Sequence, residues 1–237
     1  MSSSPLILAL DTSTDACSVA LLGAGHCEQR FEVIPRGHGA RLLAMVNEVL
    51  ASAGIKLPDL DAIAFGAGPG AFTGLRIAAG AAQGLAFALD RPVIPVSTLA
   101  ALAISVRRNA CMSEGQTIQV VTLQDARMNE VYVGDYRVSH HELEALRPDS
   151  VRPPEQVEWT SEPLSRIILG SGHIYRERLP AALLADALIL DDVIFPEAQD
   201  VASLALESFR QGRLLKPEEA QPVYLRDEVA WKKVGQQ

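Results

Sequence analysis

The chain is 237 residues long, and 48% of its residues are hydrophobic, 21% charged and 5% aromatic. That balance is typical of a folded α/β protein and argues against a disordered chain. The formal net charge of −8 argues against a protein that grips nucleic acid alone, because neutralising phosphates requires clustered Lys and Arg. Length permits one large domain or two lobes, and two lobes are our starting hypothesis.

The first part of the chain predicts the element order βββαβαβα. Apolar runs bounded by turn-forming residues predict strands at 6–10, 17–22, 26–34, 61–65 and 92–96. Helical spacing of apolar residues predicts helices at 39–53, about 73–89 and 98–106. Gly54 stands where a left-handed C-terminal cap belongs, and Ser97 or Thr98 can cap the third helix. A polar segment then marks the boundary, so we predict lobes at 1–107 and 108–237.

The second part of the chain repeats the opening pattern. A strand at 117–123, an Asp-bearing turn at 124–127 and a strand at 130–136 predict two lobes of related plan. The stretch 148–163 holds four prolines and is predicted to be irregular. The remaining predicted elements are a strand at 167–169, helices at 174–184 and 201–211, and an extended tail at 222–231.

A glycine-rich turn, FGAGPGAFTG, leads from the fourth strand into the second helix. Such a junction can hold an anion, because unpaired N–H groups and the helix dipole favour negative charge there, or it can be architecture alone. It formally matches the dinucleotide fingerprint GxGxxG/A, but the next strand ends in Ser97 and Thr98, where that site needs an acidic residue. The turn is not a P-loop either, because no Gly-Lys-Ser/Thr sequence follows it at the required spacing. We therefore predict a tight turn that sets the direction of the helix.

The second helix is apolar almost all round. Between positions 75 and 89 its only polar side chains are Arg76 and Gln83. A surface helix ordinarily has one apolar stripe, whereas a helix that is apolar on several sides is covered on more than one of them. Gly80 and Gly84 would let another backbone approach closely. Two interpretations stay open: a helix sandwiched within one domain, or a helix whose outer face meets a partner.

The cysteines and histidines form no recognised disulfide or metal pattern. Cys17, Cys27 and Cys111 are not spaced as CxxC, which indicates small core residues in a reducing compartment. The five histidines offer no HxxxH or HExxH pair. We therefore expect neither a metal site nor a cofactor.

The N-terminus and the apolar helix bear on localisation. MSSSPLILALD has no basic region and an apolar run of only about five residues, so no signal peptide is predicted. The apolar run at 77–89 is shorter than the roughly 20 residues that a membrane-spanning helix needs. We therefore expect a cytoplasmic protein without a membrane partner.

The tip of the first hairpin is acidic and rich in hydroxyl groups. Asp11, Thr12 and Ser13 resemble the first phosphate loop of the actin, sugar kinase and heat-shock ATPase superfamily. An ATPase of that plan needs a second, glycine-rich loop. The corresponding segment begins at Asp125 and contains Arg127, which could pair with an anion, but it has no glycine. These five residues are predicted to be a structural turn or a degenerate nucleotide or phosphate site; the alternative is a small-molecule kinase or ATPase using Asp11 and Asp125.

Four blocks of sequence occur in this order: ALDTSTDACSVALL, FGAGPGAFTGLRIAAGAAQGLAFAL, DARMNEVYVGDY and PVYLRDEVAWKK. Together they resemble the bacterial TsaB (YeaZ) family over nearly the whole chain. The resemblance implies an α/β, two-lobed actin-like fold of the ASKHA superfamily, in which each lobe is a mixed sheet with flanking helices. It implies a non-catalytic dimerisation or scaffold subunit of the machinery that places threonylcarbamoyl on adenosine at position 37 of tRNA. The implied partners are the catalytic subunit TsaD, the ATPase TsaE and, when alone, a second copy, with tRNA reached only through the complex.

The resemblance also assigns the outer face of the second helix. In the family, the two helices of the first lobe pack against the same helices of TsaD or of a second copy. The implied interface consists of Leu42, Met45, Val49, Leu75, Arg76, Ile77, Gly80, Ala81, Gln83, Gly84, Phe87 and Ala88. TsaD carries an iron-binding HxxxH pair where this chain has Thr98 and Leu102. The resemblance therefore implies no metal ligand and no catalytic residue here.

Overall fold

The computed structural model describes residues 4–109, 112–113 and 115–226. Cys111 and the predicted end of the tail, with Trp231, lie outside the described residues. Two five-stranded sheets organise the described chain.

The first sheet is built around two buried strands. Its members are β1 (Ile7–Asp11), β2 (Ala16–Gly23), β3 (His26–Val33), β4 (Ala62–Gly68) and β5 (Val93–Ser97). They lie in the order β3-β2-β1-β4-β5, with β1 antiparallel to β2 and parallel to β4. Every residue of β1 and β4 is buried, as expected for strands covered on both faces.

The second sheet repeats this plan. Its members are β6 (Ile118–Arg127), β7 (Glu130–Val138), β8 (Leu143–Arg152), β9 (Arg166–Leu169) and β10 (Ala187–Leu190). The order β8-β7-β6-β9-β10 matches the first sheet strand for strand, including the change from antiparallel to parallel pairing at the central strand. The prediction of two lobes of related plan is confirmed.

In the part of the chain that the structure describes, five α-helices cover the sheets: α1 (His38–Ala53), α2 (Phe72–Leu89), α3 (Thr98–Ile104), the single turn α4 (Ala181–Leu184) and α5 (Ala198–Arg210). Helices α1 and α2 pack on the face of the first sheet that carries Leu8 and Leu10, while α5 packs on the face that carries Ile7 and Ala9. Helix α3 packs mainly against the second sheet. The helix late in the sequence thus covers the first sheet, and the lobe boundary at 107/108 stays a prediction.

Both predicted helix caps are confirmed. Gly54 ends α1 in the left-handed region at φ 68°, where glycine avoids the clash that a Cβ would make. The Ser97 hydroxyl accepts a hydrogen bond from the Ala100 N–H at 3.2 Å at the start of α3.

Several predicted elements need correction. Gly66 and Gly68 belong to β4 rather than to the turn, because they pair with β5. The stretch predicted to be irregular contains part of β8, an edge strand on which Pro148 is tolerated since a missing N–H need not break a ladder. The predicted helix at 174–184 is a 3-10 helix, Ser171–Arg178, followed by α4, because Pro180 separates the two. Strand β10 was not predicted.

Helix α2 is longer than the apolar run suggested. It has 18 residues, and its mean hydropathy of 1.2 makes it long and apolar enough, by length and composition, to cross a membrane. The expectation that this part of the chain is too short to form a membrane-spanning helix is therefore wrong. A core helix passes the same test, and one face of α2 is buried against the first sheet.

Candidate partner surface and inter-lobe cleft

A cavity of about 440 Å³ lies between the lobes. The first lobe contributes Ser13 and the turn around Gly70, and the second lobe contributes Asp125, Arg127 and Ser171. This is the place that the hairpin prediction assigned to a degenerate nucleotide or phosphate site.

Asp11 does not line this cleft. Its side chain is 1% exposed, and its Oδ1 accepts hydrogen bonds from the Ser13 N–H at 3.0 Å and the Ser13 hydroxyl at 2.9 Å. Its Oδ2 has no hydrogen-bond partner within the described chain. Burial raises the pKa of the carboxyl to about 7, against the opposing effect of the two Ser13 hydrogen bonds.

The glycine-rich segment seals the hairpin tip. A Cβ at Gly66 would lie 1.9 Å from Asp11 Oδ2, and one at Gly74 would lie 1.9 Å from the carbonyl oxygen of Thr12. The Thr12 hydroxyl donates to the Gly74 carbonyl at 2.7 Å. The glycines therefore allow two backbones to pack closely, which favours the architectural interpretation of the turn over an anion cradle.

Asp125 and Arg127 line the cleft, and their side chains pair with each other. Their side chains form an ion pair at 3.1 Å, and Asp125 Oδ1 accepts hydrogen bonds from the Arg127 N–H at 2.9 Å and the Tyr175 hydroxyl at 3.1 Å. Only Ser13 and these two residues of the predicted site line the cavity; Asp11 and Thr12 are sealed beneath the glycine segment.

The exposed part of α2 is a continuous ridge. Five residues spaced four apart are all exposed, and they are Phe72, Arg76, Gly80, Gly84 and Ala88. Phe87, 76% exposed, lies beside the ridge. Helices pack by fitting such i±4 rows into the grooves of another helix. We refer to these five residues as the ridge.

Four residues of the implied interface are placed wrongly. Leu42, Met45, Val49 and Leu75 are buried in the core of the first lobe, so they are not available to a partner. The outward side of α1 carries Leu43 instead, which is 54% exposed. Most of the large apolar side chains of α1 face the sheet, so the implied interface drew its α1 residues from the core side of the helix.

The other eight implied residues lie on the outer side or the flanks of α2. Arg76, Gly80, Gly84, Phe87 and Ala88 are exposed, and Ile77, Ala81 and Gln83 are half-buried. Sequence reasoning missed Phe72, at the first position of the helix. Its aromatic side chain directly after the glycine turn was the available signal.

Thr98 and Leu102, the two positions where the family resemblance implies histidines in the catalytic relative, are part of the protein interior here. Thr98 is buried, and its hydroxyl donates to the Pro69 carbonyl. Leu102 belongs to the core between α3 and the second sheet. Within the described residues, no three His, Cys, Asp or Glu side chains are grouped so that they could hold a metal ion.

Comparisons with known proteins agree on one family. The family model described as "TsaD: tRNA N6-adenosine threonylcarbamoyltransferase" matches residues 32–233. The tRNA threonylcarbamoyladenosine biosynthesis protein TsaB of Escherichia coli is 40% identical, over 96% of this chain and 97% of that protein. The protein of the same name from Haemophilus influenzae is 39% identical, over 96% of both chains. The solved structure of YeaZ from Pseudomonas aeruginosa is 46% identical, with a TM-score of 0.86, and covers 93% of this chain and 100% of its own. The two-lobed actin-like fold is thereby confirmed.

Proposed function

The chain belongs to the TsaB (YeaZ) family, and we propose that it is the non-catalytic scaffold subunit of the tRNA N6-threonylcarbamoyladenosine transferase complex. In this role it acts in tRNA threonylcarbamoyladenosine biosynthesis in the cytoplasm. It binds and activates a TsaD-type catalytic subunit, works with a TsaE-type ATPase and forms a homodimer when alone. It meets tRNA only through the complex.

The main support for the proposal is the open space beside two glycines of the ridge. A Cβ at Gly80 or Gly84 would meet nothing within 4 Å in the described chain. Glycine inside a helix costs about 1 kcal/mol relative to alanine, so two unused glycines weaken α2 without benefit to the isolated chain. Close approach of a second helix to the ridge gives both glycines a purpose.

The interior positions support a non-catalytic role. Thr98 and Leu102 fill the places where TsaD carries its histidine pair, and both are buried in packed surroundings. The rival kinase or ATPase would need Asp11 in contact with a nucleotide in the cleft. Asp11 is instead enclosed by Gly66 and Ser13, which weighs against that alternative.

Reconstitution tests the proposal directly. TsaD, TsaE, tRNA and threonylcarbamoyl adenylate are incubated with and without this chain, and modified tRNA is measured. We expect modification to depend on the chain. Gly80→Glu and Gly84→Glu should abolish both modification and pull-down of TsaD, because a charged side chain separates the helices. Circular dichroism should show that both variants remain folded.

Ala181→Glu is the matched control, since it adds the same charge at an exposed position on α4 in the second lobe. It should bind TsaD normally. Undiminished binding by the two glycine variants would refute the interface. Steady ATP hydrolysis by the purified chain, lost in Asp11→Asn, would favour the rival enzyme.

A further inference from the structure

Residues 222–226, the described end of the chain, run along the first lobe at the end of β4. The Val223 N–H donates to the Ala67 carbonyl at 2.7 Å. Gly68 makes this close passage feasible, because a Cβ there would lie 2.6 Å from the Val223 carbonyl oxygen. Its φ of 122° also suits glycine alone. The first lobe therefore holds the segment through its backbone.

Arg226 ties the same segment to the second lobe. Its guanidinium pairs with the Glu130 carboxylate and lies 3.4 Å from the Ala126 carbonyl oxygen and 3.5 Å from Met128 Sδ. These three residues lie at the turn between β6 and β7, next to the cleft. Because the segment joins both lobes within four residues, we call residues 222–226 the strap.

Between the two attachments, Tyr224 covers one end of the ridge. Its ring centroid lies 5.4 Å from that of Phe72, and its hydroxyl accepts a hydrogen bond from Arg76 Nε at 3.0 Å. The Arg76 guanidinium carbon in turn lies 3.8 Å from the centre of the Phe72 ring. Phe72 and Arg76 are the first two of the five ridge residues. Tyr224 therefore occupies surface that a helix docked along the ridge would use.

The side chains of the strap are only partly buried. A cavity of about 210 Å³ beneath the strap is lined by Leu225 of the strap and by Leu75 and Tyr132 of the two lobes, so side chains do not fill this space. Tyr224 is 42% exposed, and the Arg226–Glu130 pair is partly exposed. Pairs in contact with water contribute little to stability. Water can therefore replace the side-chain contacts that hold the strap.

We propose that the strap is a releasable autoinhibitory contact on the ridge. It closes over Phe72 and Arg76 in the isolated chain and leaves them when the catalytic subunit docks. This inference rests on the proposed function, because the competitor is the partner of that same ridge. A strap closed in about nine-tenths of the molecules would weaken the apparent affinity for the partner roughly tenfold.

Two variants of the full chain test the competition from opposite lobes. Tyr224→Ala removes the contacts with Phe72 and Arg76, and Arg226→Ala removes the pair with Glu130. Each should tighten binding of the TsaD-type subunit by about threefold to tenfold in calorimetry. In the isolated chain, each should also speed hydrogen exchange of the Val223 amide. Arg213→Ala, which removes a hydrogen bond to the Ser208 hydroxyl and no other side-chain hydrogen bond within the described residues, is the control and should change neither quantity.

The outcomes separate the strap from the proposed function. Unchanged or weaker binding by both strap variants would overturn the competition, and so would slower exchange of the Val223 amide once the partner is bound. Unaltered exchange in the isolated variants would show that the side chains do not hold the strap closed, whatever the partner does. Failure of the unmodified chain to bind TsaD would instead refute the proposed function, and the competition with it.

Discussion

At the scale of single residues, Asp11 combines almost complete burial with a carboxylate oxygen that has no hydrogen-bond partner within the described chain. It accepts two hydrogen bonds from Ser13 at one oxygen, while the other oxygen is buried against Gly66. A buried carboxylate with one unpaired oxygen is costly, so the neutral acid is favoured in the folded state. Its pKa of about 7 lies above the ordinary value of 3.8. Asp11 is thus better suited to a sealed structural turn than to holding a metal or water in the cleft.

The raised pKa of Asp11 predicts how stability depends on pH. The folded protein binds a proton at Asp11 that the unfolded chain has already lost between pH 3.8 and about 7. Stability from this group is therefore complete below pH 3.8 and is lost as pH rises through 7, at up to about 1.4 kcal/mol per pH unit.

Asp11→Asn supplies the comparison, because its side chain stays neutral at every pH. Urea unfolding of parent and variant between pH 4 and pH 8 should show the parent losing stability relative to the variant, with no further change above pH 8. Burial also raises the pKa of Asp200 to about 6. Asp200 is present in both proteins, so its contribution cancels in the difference between their free energies of unfolding. Two parallel stability curves would show that Asp11 does not titrate in this window.

At the scale of elements, α2 contains two kinds of glycine. Gly74 faces the hairpin, where its missing side chain lets the Thr12 carbonyl approach. Gly80 faces open space within the described chain. The glycine in the first turn is therefore explained by a contact within its own lobe. The glycine further along has no such contact and fits a partner outside the described chain.

Replacing each of these glycines by alanine should change stability in opposite directions. Gly74→Ala places a Cβ 1.9 Å from a backbone oxygen that cannot rotate away, so we expect a loss of about 1–3 kcal/mol. Gly80→Ala should raise the free energy of unfolding by up to about 1 kcal/mol, because alanine is the better helix former. Chemical denaturation of the isolated variants measures both. Destabilisation by Gly80→Ala would mean that this site is packed within the chain.

How far the sequence predicts these elements depends on where their contacts lie. The apolar residues of α2 form a pattern within one short stretch of sequence, so the almost entirely apolar surface of this helix was visible without a structure. Strand β8 was not, because its sequence LEALRPDSVR is poor in the β-branched and aromatic residues that favour strands and Pro148 argued for a loop. The family resemblance placed Met45 at the interface, whereas the spacing of apolar residues in α1 puts it on the same side as Leu42 and Val49, which faces the sheet.

At the scale of the whole molecule, the two lobes share helices and polar contacts. The N-terminus of α5 is held by the first sheet, where the Ala198 N–H donates to the Ser18 hydroxyl at 2.9 Å. Arg108, which follows α3, pairs with the largely buried carboxylate of Asp200 on α5 at 2.9 Å. Ser97 donates to Asp149 of the second lobe at 2.6 Å. Folding of each lobe should therefore depend on residues from both parts of the sequence.

The sharing of α5 predicts that residues 1–107 do not fold alone. Without α5, the face of the first sheet that carries Ile7 and Ala9 loses its apolar cover of Val201, Ala202 and Ala205. Exposed apolar area of this kind costs about 25 cal/mol per Å², which a marginally stable fragment cannot absorb. We expect fragment 1–107 to show no cooperative unfolding in urea. Residues 1–97 fused to residues 198–210 through a flexible linker should recover it, because this fusion restores α5 and omits α3, whose apolar residues pack against the second sheet. The same fusion with Val201→Asp should not recover it, because a carboxylate would replace an apolar contact. A sigmoidal transition for fragment 1–107 alone would show that the predicted boundary already encloses a complete folding unit.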